Sequence, residues 1–141
     1  MQPSRLAPWL VLAGLIGACA RAPSPDVAPL PNTTPPPGYT HVALRVSTLE
    51  APPTGQVGQP VTVTAMVVLP DGCVQHDATA TLVDDAAARV IVSSRGVEQQ
   101  EGICTQILTF MPVQVSFTPR RTGTYTITAP EGGVSTAIEI R

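Results

Sequence analysis

The stretch VTVTAMVVLPDG, residues 61–72, decides the fold class of this chain. Apolar side chains occupy every second position from Val61 to Leu69, with two Thr, a Met and a Val between them. This period of two predicts a half-buried β-strand, because successive side chains of a strand point to opposite faces of a sheet. Pro70-Asp71-Gly72 then predicts a turn, since Pro presets φ and Gly accepts a positive φ.

The same alternation recurs on both sides of this strand. Further candidate strands span residues 41–48, 79–83, 89–94, 113–118, 124–129 and 134–141. Residues 104–110 are extended but ambiguous, and Pro112 ends that segment. Residues 96–102 form a polar loop, and residues 84–87 form a hairpin turn or one helical turn. Seven or eight short strands without a convincing helix predict an all-β domain over residues 39–141, an antiparallel β-sandwich, with a closed barrel as the alternative.

The composition excludes several classes of function. The chain has 141 residues, eight basic and ten acidic, for a formal net charge of −2. All eight basic residues are Arg. Binding to nucleic acid or to an anionic membrane surface requires a basic face, which this balance does not supply. We therefore expect one domain at most and no nucleic-acid partner.

The N-terminus carries a predicted export signal. Arg5 precedes thirteen largely apolar residues, 6–18, which are too few for a spanning helix of about 20 residues. Residues 1–18 therefore read as a signal peptide. The sequence Ile16-Gly17-Ala18-Cys19 resembles a bacterial lipobox, which implies that Cys19 carries lipid and becomes the mature N-terminus. Ala20, in place of Asp, resembles a signal for outer-membrane delivery in diderm bacteria. The alternative is an ordinary cleavage site with an incidental Cys.

Residues 19–38 comprise the lipidated Cys and a predicted linker. Seven Pro lie between Pro23 and Pro37, and no apolar periodicity is present. Such a segment favours an extended polyproline conformation. We expect a disordered tether that holds the domain up to roughly 50 Å from the membrane, at about 3 Å per residue.

Two cysteines remain after Cys19. Cys73 and Cys104 form an even pair in an exported domain, which predicts a disulfide with both partners at strand ends. The bridge would contribute about 3.5 kcal/mol in the chain-entropy model. The alternative is a metal carrier, in which Cys73, His76 and Cys104 bind zinc and His41 supplies the fourth ligand. A copper site is disfavoured, because no His follows Cys104 on the way to Met111.

Catalytic motifs are scarce in this chain. His76 and Asp77 suggest a hydrolase in which the imidazole activates a Ser or Thr. However, no motif marks a nucleophile, and neighbouring residues of a strand point to opposite faces. The acids Asp84 and Asp85 are typical of a solvated turn. We therefore predict a protein that is not an enzyme and requires no cofactor.

The second half of the chain resembles a sandwich module that recurs in bacterial secreted proteins and lipoproteins. The shared motifs are Asp71-Gly72-Cys73, His76, Cys104-Thr105-Gln106 and Gly123-Thr124-Tyr125-Thr126. The resemblance implies an immunoglobulin-like fold, a Cys73–Cys104 pair and no known activity. Tyr125 also resembles the tyrosine corner of Greek-key sandwiches, with an ordinary core Tyr as the alternative.

Together these patterns predict a lipid-anchored cell-envelope lipoprotein with a non-enzymatic, immunoglobulin-like binding or structural module. Its expected contacts are the membrane, through the lipid on Cys19, and an envelope protein or polysaccharide. Loops or an exposed sheet edge would form the second contact.

Overall fold

The computed structural model describes residues 28–141, which form an all-β domain of eight strands. The strands span Tyr39–Glu50 (β1), Thr54–Gly55 (β2), Val61–Leu69 (β3), Val74–Asp84 (β4), Arg89–Gln99 (β5), Thr109–Phe117 (β6), Gly123–Ala129 (β7) and Val134–Ile140 (β8). The described residues contain no helix, and hence none suited in length and hydropathy to crossing a bilayer. The predicted signal peptide, residues 1–18, and the predicted lipid site, Cys19, lie outside the described residues.

The strands form one mixed sheet that curls into a half-barrel. Its order is β2-β8-β7-β5-β1-β3-β6, and β4 pairs with the other edge of β5. Strand β1 pairs with two neighbours in succession: residues 39–44 pair with β5 and residues 45–50 pair with β3. A register shift between Val46 and Thr48 marks a bulge in the second ladder. Because a bulge bends and twists a strand, it helps β1 turn from one neighbour to the other.

The predicted antiparallel arrangement is wrong at two places. Strand β2 runs parallel to β8 over Thr54–Gly55, and β5 runs parallel to β7 over residues 89–91. The alternation of side chains specifies where a strand lies and which face it buries. It does not specify the direction of the partner strand, so these two pairs have no local signal in the sequence.

The core lies on the concave face of the curled sheet. The predicted alternation is confirmed in β3, β7 and β8. Their inward side chains are mostly buried, and the side chains between them are more exposed, with Val68 as a buried exception. Tyr125 and Ile127 have no exposed surface. Each fully buried aliphatic side chain stabilises the fold by about 1.5–3 kcal/mol. The buried apolar cluster comprises Leu44, Val46, Val61, Val63, Ala65, Val67, Val74, Val90, Val92, Phe117, Tyr125, Ile127, Ala129, Ile138 and Ile140.

The predicted segment boundaries are wrong at the end of β5 and in β6. Residues 96–99 belong to β5 and not to a loop, because β1 and β4 pair with its two edges there. Pro112 lies within β6 and does not end the segment before it. Strand β6 is the last in the sheet order, and an edge strand tolerates Pro because its missing N–H can face the unpaired side. The predicted turn between β4 and β5 is confirmed, and Asp84 Oδ1 accepts the Ala87 N–H at 3.0 Å there.

Residues 28–38, part of the predicted tether, lie against the domain. The Ala28 N–H donates to Ser93 Oγ at 3.1 Å, and Ala28 is 1% exposed. Thr33 Oγ1 accepts from Arg95 Nη2 at 2.9 Å, and the Gly38 carbonyl accepts the Gln100 N–H at 2.9 Å. This N-terminal strap, residues 28–38, therefore follows β5 from its middle to its end. The remainder of the predicted tether, residues 19–27, lies outside the described residues.

Candidate functional site

A pocket of about 150 Å³ lies where β5 exchanges partners along one edge. Residues 89–91 pair with β7 and residues 94–99 pair with β1, so residues 92 and 93 have no ladder partner on that edge among residues 28–141. The strap and the turn between β7 and β8 complete the walls. The lining residues are Leu30, His41, Val42, Ala43, Ser94, Arg95 and Glu131.

A glycine in the β7–β8 turn lets this turn approach the pocket. A Cβ atom at Gly132 would lie 1.7 Å from the Val46 carbonyl oxygen, so any other residue would push the turn away from β1. The close approach places the neighbouring Glu131 in the wall. The Gly132 N–H donates to the Ala129 carbonyl at 3.1 Å, which fixes the turn at the end of β7.

Two polar atoms of lining residues are buried without a hydrogen-bond partner among the described residues. They are His41 Nε2 and Glu131 Oε2. Asp77 Oδ2 lies 3.8 Å from His41 Nε2, beyond hydrogen-bond distance. A buried polar atom without a partner costs about 1–3 kcal/mol. A molecule that reaches the pocket and pairs with these atoms recovers that free energy.

An ion pair stiffens the pocket wall. Arg95 donates to Asp77 Oδ2 through both Nε, at 2.8 Å, and Nη2, and it ties the strap through Thr33. Asp77 lies at a register shift of β4, between His76 and Ala78, opposite Arg95. The carboxylate therefore bonds to the neighbouring strand and does not orient the His76 ring.

His76 lies on the concave face of the sheet, away from the pocket wall formed by His41. Its Nε2 is 2.8 Å from Thr79 Oγ1, which is 2.9 Å from Ser94 Oγ. Burial lowers the pKa of His76, and the nearby Asp77 carboxylate opposes that change. Ser94 borders the pocket but is only 1% exposed, so its hydroxyl, paired with Thr79 Oγ1, offers almost no surface to a substrate. The predicted alternative of a hydrolase thus has its imidazole beside hydroxyls, but neither an orienting acid nor an accessible Ser94.

The predicted disulfide is confirmed. Cys73 and Cys104 are joined at an S–S distance of 2.02 Å with Cα atoms 5.2 Å apart. Cys73 directly precedes β4 as predicted, whereas Cys104 lies in the loop before β6 and not at a strand end. Among the described residues, the one cluster with metal-ligand spacing is Asp71, Cys73 and Cys104. Bridged sulfurs are not thiolate ligands, and neither His76 nor His41 belongs to this cluster.

A second polar network joins Tyr125 of β7 to the turn between β4 and β5. The Tyr125 hydroxyl donates to Asp85 Oδ1 at 2.6 Å, and the Arg120 N–H donates to the same atom at 2.9 Å. These bonds lower the pKa of Asp85. Burial, followed by the bond to Asp85, raises the pKa of Tyr125, while backbone N–H groups of Arg121 and Arg120 oppose the rise. The network anchors the β4–β5 turn to the core.

Most residues of the pocket have no signal in the sequence. Leu30, Arg95 and Glu131 carry no motif, and they come from three distant segments of the chain. In the sequence, only the Gly132-Gly133 pair indicates a tight turn next to Glu131. Comparison with protein-family models, curated proteins and solved structures finds no match for this chain.

Proposed function

We propose that this protein is a lipid-anchored lipoprotein of a bacterial cell envelope, whose domain binds a partner without catalysing a reaction. The anchor rests on the sequence Ile16-Gly17-Ala18-Cys19, which resembles a lipobox. Binding rests on the pocket, and above all on the two buried polar atoms His41 Nε2 and Glu131 Oε2. The proposed partner is an envelope protein or polysaccharide that presents a side group to this pocket.

The pocket size and chemistry favour a particular kind of group. Ligand sites for whole small molecules span about 300–1,000 Å³, so a pocket of about 150 Å³ suits a single side chain or substituent. Leu30, Val42 and Ala43 supply apolar walls, and Glu131 supplies a carboxylate oxygen. An aliphatic stem that ends in a primary amine matches both features, because an ammonium group donates to a carboxylate.

Two alternatives receive less support. A hydrolase needs an accessible nucleophile, and the hydroxyl network of His76 leads to the buried Ser94. A metal carrier that uses Cys73, His76 and Cys104 needs thiolates, and both sulfurs are bonded to each other. A binding module needs neither an accessible nucleophile nor free thiolates, so it is consistent with the buried Ser94 and with the disulfide.

We also propose that the fold is an immunoglobulin-like sandwich. Strands β3 and β6 with the second half of β1 form one layer, and the remaining strands form the other. The pairing of β1 with both β3 and β5 joins the two layers. The Tyr125 hydroxyl faces the backbone N–H of Arg121, four residues upstream, which resembles a tyrosine corner.

The anchor is tested by replacing Cys19. We expect Cys19→Ser to move the protein from the detergent-extracted membrane fraction to the soluble fraction of an expressing bacterial host. The matched control is the double variant Cys73→Ser/Cys104→Ser, which keeps Cys19 and should stay in the membrane fraction. A processed Cys19→Ser protein that still sediments with membranes would overturn the lipid anchor.

The pocket is tested by amide chemical shifts in NMR spectra. N-acetyl-lysine methylamide, added as a probe, should shift the amide signals of Val42, Ala43 and Glu131. We expect Glu131→Gln to weaken this response about tenfold, because a charge-assisted hydrogen bond is lost. The control Glu101→Gln changes an exposed carboxylate outside the pocket and should leave the response unchanged. Equal responses in both variants would exclude the carboxylate as the ligand contact.

A further inference from the structure

Four exposed apolar side chains lie within eight residues of the chain. Ile103 is fully exposed, and Ile107, Leu108 and Phe110 are 63%, 55% and 56% exposed. They belong to residues 102–111, here named the apolar loop, which connects β5 to the start of β6. Single exposed apolar residues are ordinary, whereas a contiguous group of them marks an interaction surface.

The apolar loop is fixed to the domain at its centre. The Cys73–Cys104 bridge joins it to the start of β4, and the Gly72 N–H donates to the Thr105 carbonyl at 2.9 Å. A Cβ atom at Gly72 would lie 2.1 Å from Thr105 Oγ1, so a larger residue there would require the Thr105 hydroxyl to rotate away. The disulfide and this hydrogen bond therefore hold the loop in place while its apolar side chains remain exposed.

The charge pattern indicates which surface the loop suits. Residues 102–119 contain no charged residue, and residues 96–101 add only the acids Glu98 and Glu101. Thr105, Gln106 and Thr109 alternate with the apolar side chains. Apolar side chains mixed with uncharged polar groups suit the boundary between lipid headgroups and acyl chains.

We propose that the apolar loop inserts into the lipid surface to which Cys19 anchors the chain. This inference rests on the proposed lipid anchor. Its ligand is the lipid bilayer itself, and the attraction is apolar burial, since no basic residue lies between residues 96 and 119. The contact should therefore form on uncharged phosphatidylcholine and should persist at high salt, unlike binding by a basic patch.

The length of chain between the anchor and the domain permits this contact. Ala28 is tied to Ser93 in the middle of β5, and nine peptide units separate it from Cys19. That segment spans about 30 Å at most. The apolar loop begins just beyond Gln100, about 23 Å from Ser93 along the strand. A bilayer that holds Cys19 is thus within reach of the loop when the domain lies on its side.

A single tryptophan reports the depth of the loop. Trp9 is the only Trp in the sequence, so Trp9→Phe combined with Ile103→Trp leaves one reporter whether or not the signal peptide is removed. The matched control carries Trp9→Phe with Thr122→Trp, an exposed position beyond the far end of β6. Each full-length variant is expressed, purified from solubilised membranes and reconstituted into phosphatidylcholine vesicles with brominated acyl chains.

We expect bromine to quench Ile103→Trp emission by about twofold or more, because the side chain contacts acyl chains, and to leave Thr122→Trp emission unchanged. Equal quenching of both reporters, or of neither, would overturn insertion by the loop. A blue shift of the Ile103 reporter that depends on protein concentration in lipid-free detergent would overturn it in favour of self-association.

The experiment tests the lipid anchor and the loop contact by separate measurements. The mass of the same sample shows whether Cys19 carries acyl chains. If Cys19 is present without acyl chains, a maleimide lipid couples to it, because it is the one cysteine outside the bridge, and the quenching measurement proceeds on the same vesicles. Quenching in that sample would support the loop contact although the biological anchor had failed.

Discussion

The two sides of the concave face are held together by different means. On the β7–β8 side, Tyr125, Ile127 and Ile138 are at most 1% exposed and pack into the apolar cluster. On the β4 side, polar His76 and Thr79 take the inward positions. There the disulfide ties the start of β4 to the loop before β6, and hydrogen bonds link Thr79 to Ser94 of β5 and Thr81 to the Ser116 carbonyl of β6. This chain has few large apolar side chains. The contrast indicates that apolar packing stabilises the β7–β8 side, whereas the disulfide and hydrogen bonds stabilise the β4 side.

The largest effect should come from removing the cross-link. We expect Cys73→Ser/Cys104→Ser to lower the free energy of unfolding by about 3.5 kcal/mol, because a loop of about 30 residues regains its freedom in the unfolded chain. The melting temperature should fall by about 10–25 °C. Thermal and urea unfolding measure both quantities, with Cys19→Ser as the control that keeps the bridge. A loss below about 0.5 kcal/mol would mean that the β4 side does not depend on the bridge.

The effect of the partly buried Tyr125–Asp85 bond should rank second. Tyr125→Phe removes a hydroxyl that donates to a carboxylate, and we expect a loss of about 1.5 kcal/mol. The control is Tyr39→Phe at the start of β1, with an expected change below about 0.5 kcal/mol. A double-mutant cycle with Asp85→Asn should return a coupling of about 1 kcal/mol. Additive effects of the two changes would show that the bond does not connect the turn to the core.

A smaller change measures how tightly the apolar side is packed. Ile127→Val removes one methylene group from a side chain with no exposed surface, which costs about 1 kcal/mol. The same change at the exposed Ile107 should leave the free energy of unfolding within about 0.5 kcal/mol of the parent. Urea titration of both variants makes the comparison. Equal losses would contradict the assignment of the core to the β7–β8 side.

The pH dependence of the β4 side should be the smallest effect. Because burial lowers the pKa of His76, the unfolded chain binds a proton more readily than the folded domain does. Stability should therefore fall as the pH drops below about 6.5, the ordinary pKa of His. Unfolding of the parent and of His76→Gln between pH 5 and 7.5 isolates this contribution, which only the parent should show. Parallel curves would indicate that His76 titrates alike in both states.

The sequence predicted the strands that bury one face. Val61–Leu69 is confirmed to its end residues, and the pattern of Tyr125, Ile127 and Ala129 is confirmed in β7. Such strands carry their own signal, because each inward position is apolar. Residues 96–99 read as a loop, because Gly and polar residues predominate there. They belong to a strand because β1 and β4 pair with its two edges, and this pairing needs no apolar side chains.

The candidate site was much less predictable. The disulfide followed from counting cysteines, which needs no knowledge of the fold. The pocket depends on the strap and on the partner exchange along β5, and neither has a local pattern. Leu30, His41 and Glu131 approach one another only because the parallel pairing of β5 with β7 places the β7–β8 turn beside β1.

The lipid anchor carries the proposed function, and the intact mass of the protein extracted from bacterial membranes measures it. We predict a chain that begins at Cys19 and carries a diacylglyceryl group, with Cys73 and Cys104 still bridged. Trypsin should release that modification on the N-terminal peptide that ends at Arg21. A chain that begins at Cys19 or Ala20 without acyl groups, or an unprocessed chain that begins at Met1, would contradict the lipid anchor.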